Sequence, residues 1–430
     1  MDLNRLTFAM NMAGWNAVIA GFLFKFSYSC FDFKRWLVVG RRSALKKNII
    51  FSVMLLLLPT AACVGSTTSP TPSHFRPWIE EEISFTFGHN TLFGILTLPT
   101  TEGPYPAVVL ISGSVSTSTG VRQGVSLSYH VNHARKMALN GFAVLRYDPP
   151  GVGQSAGESG FESLETRSEE AIAALHYLQS RSDIRSDQVG LWGVSQGGWV
   201  IAMAAAQYPQ DVAFMISVSG AGVSVAEQQI YSILAQSEAA GMSEEDIRKA
   251  VLFGRMLIDW QLKNPCYREE NEAEAQLLGD GPWTAFSALV YEPNEITTDE
   301  GLQLGIEILK SIQGESWAKF LYLKELYIPL LEGIPPEQVP ALRERTGQNL
   351  LQDPKEYLTR VKSPVLAVFG EEDLLQPTEK SSALYERYLA EAGNENVKIV
   401  VIPDVGHSIA ISNDGYWEVL SDWLDTLYSG

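Results

Sequence analysis

Two serines stand in the pattern Gly-x-Ser-x-Gly: Ser195 in Gly193-Val194-Ser195-Gln196-Gly197, and Ser155 in Gly153-Gln154-Ser155-Ala156-Gly157. A serine hydroxyl is a weak nucleophile until it is presented on a tight turn and a neighbouring base takes its proton. Ser195 directly follows the apolar run at 189–192 and opens the apolar run at 199–206, so the sequence places it between a strand and a helix. That context turns the pattern into a nucleophile elbow, with free N–H groups of the helix start facing a developing oxyanion. Ser155 lies several residues past its strand and is followed by Glu158-Ser159-Gly160, which reads as a surface loop.

The base must be one of six histidines. His74 falls in a Ser/Thr/Pro-rich stretch and His89 in a hairpin turn. His130, His133 and His176 lie within helical runs ahead of the nucleophile. His407, in Pro403-Asp404-Val405-Gly406-His407-Ser408, follows the last apolar run, at the edge of the sheet where the elbow also opens. The loop Phe369-Gly370-Glu371-Glu372-Asp373-Leu374-Leu375-Gln376-Pro377 offers three carboxylates to orient it. Asp373 is the expected orienter, with Glu372 as the alternative. An orienting carboxylate fixes the imidazole tautomer and stabilises the imidazolium without itself taking the proton.

The elements around these residues predict an α/β fold. Residues 83–87 and 92–98 flank Gly88-His89-Asn90, a hairpin signal. The runs at 107–112, 142–147, 189–193, 212–218, 365–369 and 397–402 are near-continuously apolar, as strands buried on both faces of a parallel sheet are. Helical runs at 130–140, 165–181, 196–207, 378–392 and 416–428 alternate with them. Residues 223–358 carry helical periodicity without a strand, and Ser243 with Asp246 resembles a capping box. A helical insertion between two core strands reads as a lid. The expected organisation is an upstream segment and signal (1–62), a tether (63–77), the first part of the core (78–222), the lid (223–358) and the second part of the core (359–430).

The order Ser195, Asp373, His407, together with Pro106-Ala107-Val108-Val109-Leu110-Ile111-Ser112-Gly113-Ser114, Arg146-Tyr147-Asp148 and Gly151-Val152-Gly153-Gln154-Ser155, resembles the bacterial α/β-hydrolases. The likeness is to esterases, S33-type serine aminopeptidases and dienelactone-hydrolase-like relatives, and it covers most of 80–222 and 360–428. It implies an α/β-hydrolase fold, a mostly parallel sheet flanked by helices and carrying a helical lid. It also implies an oxyanion hole formed by the backbone N–H groups of Ser114 and Gln196. Two departures stand out: Ser114-Val115-Ser116 replaces a Ser-Gly-Ser-Gly-Pro continuation, and Pro150 replaces an arginine of the relatives' Asp-x-Arg-Gly loop. Asp148 reads as structural.

The implied reaction is acyl transfer to water, with small-molecule carboxylic esters as the first substrate class. Short peptides or amides are the alternative, and a non-catalytic binding protein on the same scaffold is a third reading. Trp260, Trp283, Phe286, Tyr291, Trp317, Phe320, Tyr322 and Tyr327 populate the lid, and two or three of them are expected to form an apolar roof suited to acyl or aryl groups. A peptidase that selects a free amino terminus needs a carboxylate beside the nucleophile, for which Glu269, Glu270 and Glu272 are the candidates.

The net charge is -18, yet the stretch before Cys63 is +6, with eight basic residues against two acidic ones, leaving the remainder at -24. A body so acidic repels phosphate backbones, so nucleic acid is excluded as a partner. Cys30, Cys63 and Cys266 fit neither a zinc site nor a disulfide framework, the histidines do not recur at ligand spacing, and the expected chemistry requires no cofactor or metal. The basic run Arg41-Arg42-Ser43-Ala44-Leu45-Lys46-Lys47, the apolar run at 49–58 and Thr60-Ala61-Ala62-Cys63 together describe a secretory signal. They resemble a bacterial lipobox, in which Cys63 is acylated and becomes the mature N-terminus. The arginine pair also loosely resembles a twin-arginine signal. Residues 1–40 fit no signal preceding a second one, which places the expected start nearer Val39. The expected location is the outer face of a bacterial membrane through a lipid anchor, with a secreted or periplasmic soluble form as the alternative. A flexible tether follows Cys63.

Overall fold

The computed structural model describes residues 77–114, 124–158, 162–279, 281–292 and 298–428. Cys63, the signal-type segment and the tether ahead of Pro77 lie outside the described residues. The predicted hairpin forms β1 (Trp78–Phe87) and β2 (Asn90–Pro99), paired antiparallel from Trp78↔Pro99 to Phe87↔Asn90. Gly88 takes a positive φ of 57° in the connecting turn, a conformation glycine adopts without a side-chain penalty.

The remaining strands are β3 (Tyr105–Ile111), β4 (Ala143–Tyr147), β5 (Ile184–Val194), β6 (Met215–Val218), β7 (Val365–Gly370) and β8 (Val397–Ile402). They join the hairpin in one sheet of order β1-β2-β4-β3-β5-β6-β7-β8, in which β2 meets β4 antiparallel and all later pairings are parallel. Side chains alternate between the two faces with the period of a strand. Ala107, Val109, Leu145, Leu191, Ala367 and Phe369 enter one core, and Val108, Leu110, Val144, Trp192, Leu366 and Val368 the other.

The first core is closed by α2 (Leu164–Gln179), α3 (Gly197–Gln207) and α12 (Thr378–Glu391). The second is closed by α1 (Ser128–Leu139), the short α13 (Ile409–Ser412) and α14 (Asp414–Tyr428). The expectation that every core strand is buried on both faces fails at β8. It is the last strand of the sheet, only Ile402 of its residues is buried, and Val401 is 42% exposed.

The insertion between β6 and β7 is helical, with α4 (Val225–Ala239), α5 (Glu244–Gln261), α6 (Arg268–Leu277), α7 (Pro282–Tyr291), α8 (Thr298–Ile312), α9 (Ile328–Gly333), α10 (Val339–Leu350) and α11 (Lys355–Leu358). At the start of α5 the Ser243 hydroxyl accepts the Asp246 N–H at 3.1 Å, capping the helix at the expected position. The lid has its own apolar core. Phe253 stacks on Phe286 at 4.8 Å, with Trp283 and Trp317 beside them. At its base Val223, Val225, Ile258, Leu262 and Leu350 merge into the core under the sheet. Among the described residues no helix is long and apolar enough to cross a membrane.

Candidate active site

Ser195 sits between β5 and α3 with φ 55°, a left-handed conformation that is strained for a residue with a Cβ and costs on the order of 1–3 kcal/mol. Its surroundings impose it. The Ser195 N–H donates to the Val218 carbonyl at 2.8 Å, and its own carbonyl accepts the Gly198 N–H at 2.8 Å. The turn is so tight that a Cβ on Gly193 would stand 2.4 Å from the Gly197 carbonyl oxygen. The glycine pattern of the motif is thus a steric requirement of the elbow.

His407 lies in the loop after β8, and its Nδ1 is 2.8 Å from Oδ2 of Asp373, in the loop after β7. Asp373 is only 2% exposed, and its other oxygen accepts the N–H groups of Leu375 at 2.8 Å and Gln376 at 3.0 Å. With every bond to the carboxylate a donor, Nδ1 carries a proton and Nε2 is left as the basic nitrogen. Glu371 and Glu372 are exposed, and Glu371 accepts the Asp404 N–H at 3.2 Å. The two loops approach closely because residue 370 is glycine, where a Cβ would stand 2.3 Å from the Val405 carbonyl oxygen. The end of β6 joins this pair to the elbow. Val218 receives the Ser195 N–H, and the next residue, Ser219, donates its hydroxyl to the His407 carbonyl at 3.1 Å.

Gly113 and Ser114 follow β3. A Cβ on Gly113 would lie 3.2 Å from the Ser195 Cβ and 3.7 Å from its hydroxyl, so this backbone forms a wall beside the serine. Gln196 occupies the N-cap of α3 in helical conformation. Sequence reasoning missed what ties the two segments together. Arg167 of α2, 1% exposed, donates Nη2 to the Ser112 carbonyl at 2.6 Å and Nη1 to the Gln196 side-chain oxygen. Tyr129 accepts a hydrogen bond from the Gly113 backbone. Burial pushes its phenol up to about 12, against that bond and the nearby Arg167 charge, which lower it. A signal for Arg167 existed, because it falls on the buried stripe of α2 with Leu164, Ala171, Ala174 and Leu178, where an arginine is out of place unless bonded.

The second motif serine is structural, and the surface-loop expectation is corrected. Ser155 is 8% exposed, accepts the Phe93 N–H at 2.8 Å and donates to the Asp148 carbonyl at 2.6 Å, pinning its loop to β2. The Asp148 carboxylate accepts the N–H groups of Gly124 and Val125. His130 and His133 are fully buried, which pushes both imidazoles down to about 3, and His133 bonds the Tyr416 hydroxyl at 2.9 Å. His176 pairs with Asp211 at 3.0 Å on the surface.

The lid reaches this centre through α4. The Tyr231 hydroxyl donates to the Asp373 carbonyl at 3.0 Å, and Gln228 donates to the Leu375 carbonyl at 2.6 Å. Trp283, Phe286 and Trp317 belong to the lid's own core, where Phe286 stacks on Phe253 and Trp283 lies tilted against Trp317. Glu269 and Glu270 are exposed on α6, and Glu272 is paired with Arg268 at 2.9 Å. Among the described residues no group of His, Cys, Asp or Glu side chains could hold a metal ion, and Cys266 is a free, exposed thiol.

A mostly parallel sheet with helices on both faces, carrying a strained serine between a central strand and a helix, defines an α/β protein of the hydrolase type. The family model described as alpha/beta hydrolase fold matches residues 106–414, and the chain belongs to that family. A curated relative, an uncharacterized 31.7 kDa protein in the traX-finO intergenic region of Escherichia coli, is 22% identical over 247 residues, 57% of this chain and 68% of that protein. Similar solved structures include the alpha/beta hydrolase GrgF from Penicillium sp. sh18, with 18% identity, TM-score 0.47, and coverage of 82% of this chain and 100% of the other. Est1E from Butyrivibrio proteoclasticus, solved with ferulic acid, shows 16% identity, TM-score 0.45 and coverage of 81% and 100%. A proline iminopeptidase from Mycobacterium smegmatis shows 15% identity, TM-score 0.46 and coverage of 81% and 98%. Family membership supports hydrolysis as the general activity.

Proposed function

We propose that the chain is a serine hydrolase that cleaves small carboxylic esters through an acyl-enzyme. The observation that carries the reading is the joint anchoring of Ser195 and the His407–Asp373 pair on the end of β6, with the serine held in a left-handed turn. Ser195 Oγ attacks the ester carbonyl carbon while His407 Nε2 takes its proton. The tetrahedral oxyanion is received by the backbone N–H groups of Ser114 and Gln196. It collapses, and the alcohol leaves with the proton held by His407. Water, deprotonated by the same nitrogen, attacks the acyl-serine and releases the acid. Asp373 keeps Nδ1–H in place and stabilises the imidazolium.

Esters are favoured over aminoacyl amides by the state of the acidic lid residues. Glu269 and Glu270 are exposed and Glu272 is engaged by Arg268, so none of the three is held ready for a substrate ammonium. The test is a panel of matched short acyl esters and aminoacyl-arylamides. The expected result is a higher kcat/KM for the esters by more than their intrinsic reactivity advantage. Equal turnover of the amides, abolished by Glu269→Gln or Glu270→Gln, would replace this reading with an aminopeptidase.

The proposed location is the outer face of a bacterial membrane, through a lipid on Cys63, supported by the basic run, the apolar run and Thr60-Ala61-Ala62 ahead of it. Mass spectrometry of the membrane fraction is expected to find a diacylglyceryl cysteine as the mature N-terminus. An intact Met1 in the soluble fraction contradicts it.

A further inference from the structure

A cavity of about 120 Å³ lies within the lid, walled by Leu257, Phe286, Leu289, Leu302, Leu309 and Leu331. These side chains come from α5, α7, α8 and α9, so the chamber belongs to the helical insertion and involves none of the residues assigned to acyl transfer. Among the described residues that line it, one is a cation. Arg343 of α10 donates Nε to the Trp260 carbonyl, and its guanidinium carbon sits 5.2 Å from the centre of the Trp260 ring, itself part of the wall. Three other lid arginines pair with carboxylates, Arg248 and Arg255 with Glu274 and Arg268 with Glu272, while Arg345 is exposed to solvent. No described carboxylate pairs with Arg343, and burial holds its pKa below the ordinary arginine value with no acid offsetting it. A half-buried guanidinium with its Nε occupied retains its forked Nη donors, the geometry that matches a planar carboxylate.

We propose that this cavity binds an aliphatic or aryl monocarboxylate, with its apolar body among the leucines and its carboxylate on Arg343. The size follows from the volume, since an apolar protein cavity of about 150 Å³ accepts a benzene molecule, so the body is on the order of six carbons. The single charge follows from the surroundings. An apolar wall offering one guanidinium cannot neutralise a dianion, and the chain's net charge of -18 repels polyanions. Apolar burial then drives binding, and the guanidinium selects the acid over its neutral analogues.

The test does not depend on chemistry at Ser195. Hexanoate and hexan-1-ol are titrated into the full chain by calorimetry, with thermal melting in parallel. Hexanoate is expected to bind at least about tenfold more tightly than hexan-1-ol and to raise Tm, since the charged pair adds 1.4 kcal/mol or more for each tenfold. Arg343→Gln removes that preference and leaves weak binding of both. Gly305→Leu, at a wall position where an added Cβ meets only Leu289 at 3.4 Å, fills the chamber and abolishes binding of both. Binding of hexanoate that survives Gly305→Leu, equal affinity for the alcohol in the wild type, or no binding of hexanoate would each overturn the proposal. Should Gly305→Leu fail to fold, the loss of acid preference in Arg343→Gln decides it alone.

Discussion

The sheet-bearing body and the lid hold their functional groups by different means. In the body, Ser195, Asp373 and His407 stand at the ends of β5, β7 and β8, and main-chain hydrogen bonds and glycine-dependent approaches fix them. In the lid, helices pack on an aromatic core of their own and touch the centre through side chains, Tyr231 and Gln228, that bond to backbone carbonyls. The first arrangement tolerates little change, because backbone bonds, close-packed glycines and two buried side chains, Asp373 and Ser219, hold it together. The second leaves most lid positions open to substitution while the contacts of Tyr231 and Gln228 keep it in register with the centre.

The contrast can be broken most sharply at the two motif serines. Ser195→Ala and His407→Ala are each expected to remove turnover by on the order of 10⁶-fold, since nucleophile and base act as a unit. Ser155→Ala is expected to keep turnover per folded molecule while losing about 1–3 kcal/mol of stability, because the Phe93 N–H loses its acceptor. Steady-state kinetics with chemical denaturation separates the two. A collapse of kcat in a folded Ser155→Ala would move the nucleophile.

Asp373→Asn is next, with an expected loss on the order of 10⁴-fold in kcat as the amide stabilises the wrong imidazole tautomer. Glu372→Gln, at an exposed neighbour, is expected to be close to silent. The reverse pattern would shift the orienter by one residue.

Arg167→Met asks whether the body's rigidity reaches beyond the reacting groups. Arg167 bonds the Ser112 carbonyl and the Gln196 side chain, so its loss loosens both segments expected to receive the oxyanion. The expected outcome is a fall of about 10- to 100-fold in kcat with KM little changed, somewhat less than removal of an oxyanion donor itself. Arg167→Lys recovers part of it. A parallel fall in folded fraction with unchanged kcat would make the residue purely structural.

The histidines sharpen the same contrast through pH. His130 and His133 are held neutral by burial, with pKa values lowered from 6.5 to about 3. Below pH 6.5 the unfolded chain takes up protons that the folded chain refuses, so their contribution to stability, full above 6.5, is lost as pH falls toward 3. The slope is up to about 1.4 kcal/mol per pH unit for each imidazole. Denaturation at pH 7.5 and pH 5 is expected to show a smaller loss for His133→Gln than for the wild type.

The parts of this picture that could be read from the chain are those encoded locally. Strand, glycine turn and helix follow one another around Ser195, and each apolar run read as a strand marks one, though β1 and β5 begin five residues before their runs. The helical insertion was legible from its periodicity and the Ser243 cap. What escaped depends on partners far apart in sequence. Arg167 meets Ser112 across 55 residues, Ser219 meets His407 across 188, and Ser155 finds Phe93 across 62, so a loop serine became a buried one. The exposure of β8 escaped because an edge strand and a central one share the same apolar run until strand order is known. The lid aromatics meet the same limit, because composition alone cannot say which of them enter the helical core, as Trp283, Phe286 and Trp317 do.

One measurement bears most directly on the central claim. The purified chain is treated with a fluorophosphonate probe, and the modified peptide is identified by mass spectrometry, in the wild type, Ser195→Ala and Ser155→Ala. A hydrolase of the proposed kind carries the probe on Ser195 in the wild type and in Ser155→Ala, and carries none in Ser195→Ala. Undiminished labelling of Ser195→Ala, or an unlabelled wild type that is folded and has His407 intact, would contradict it.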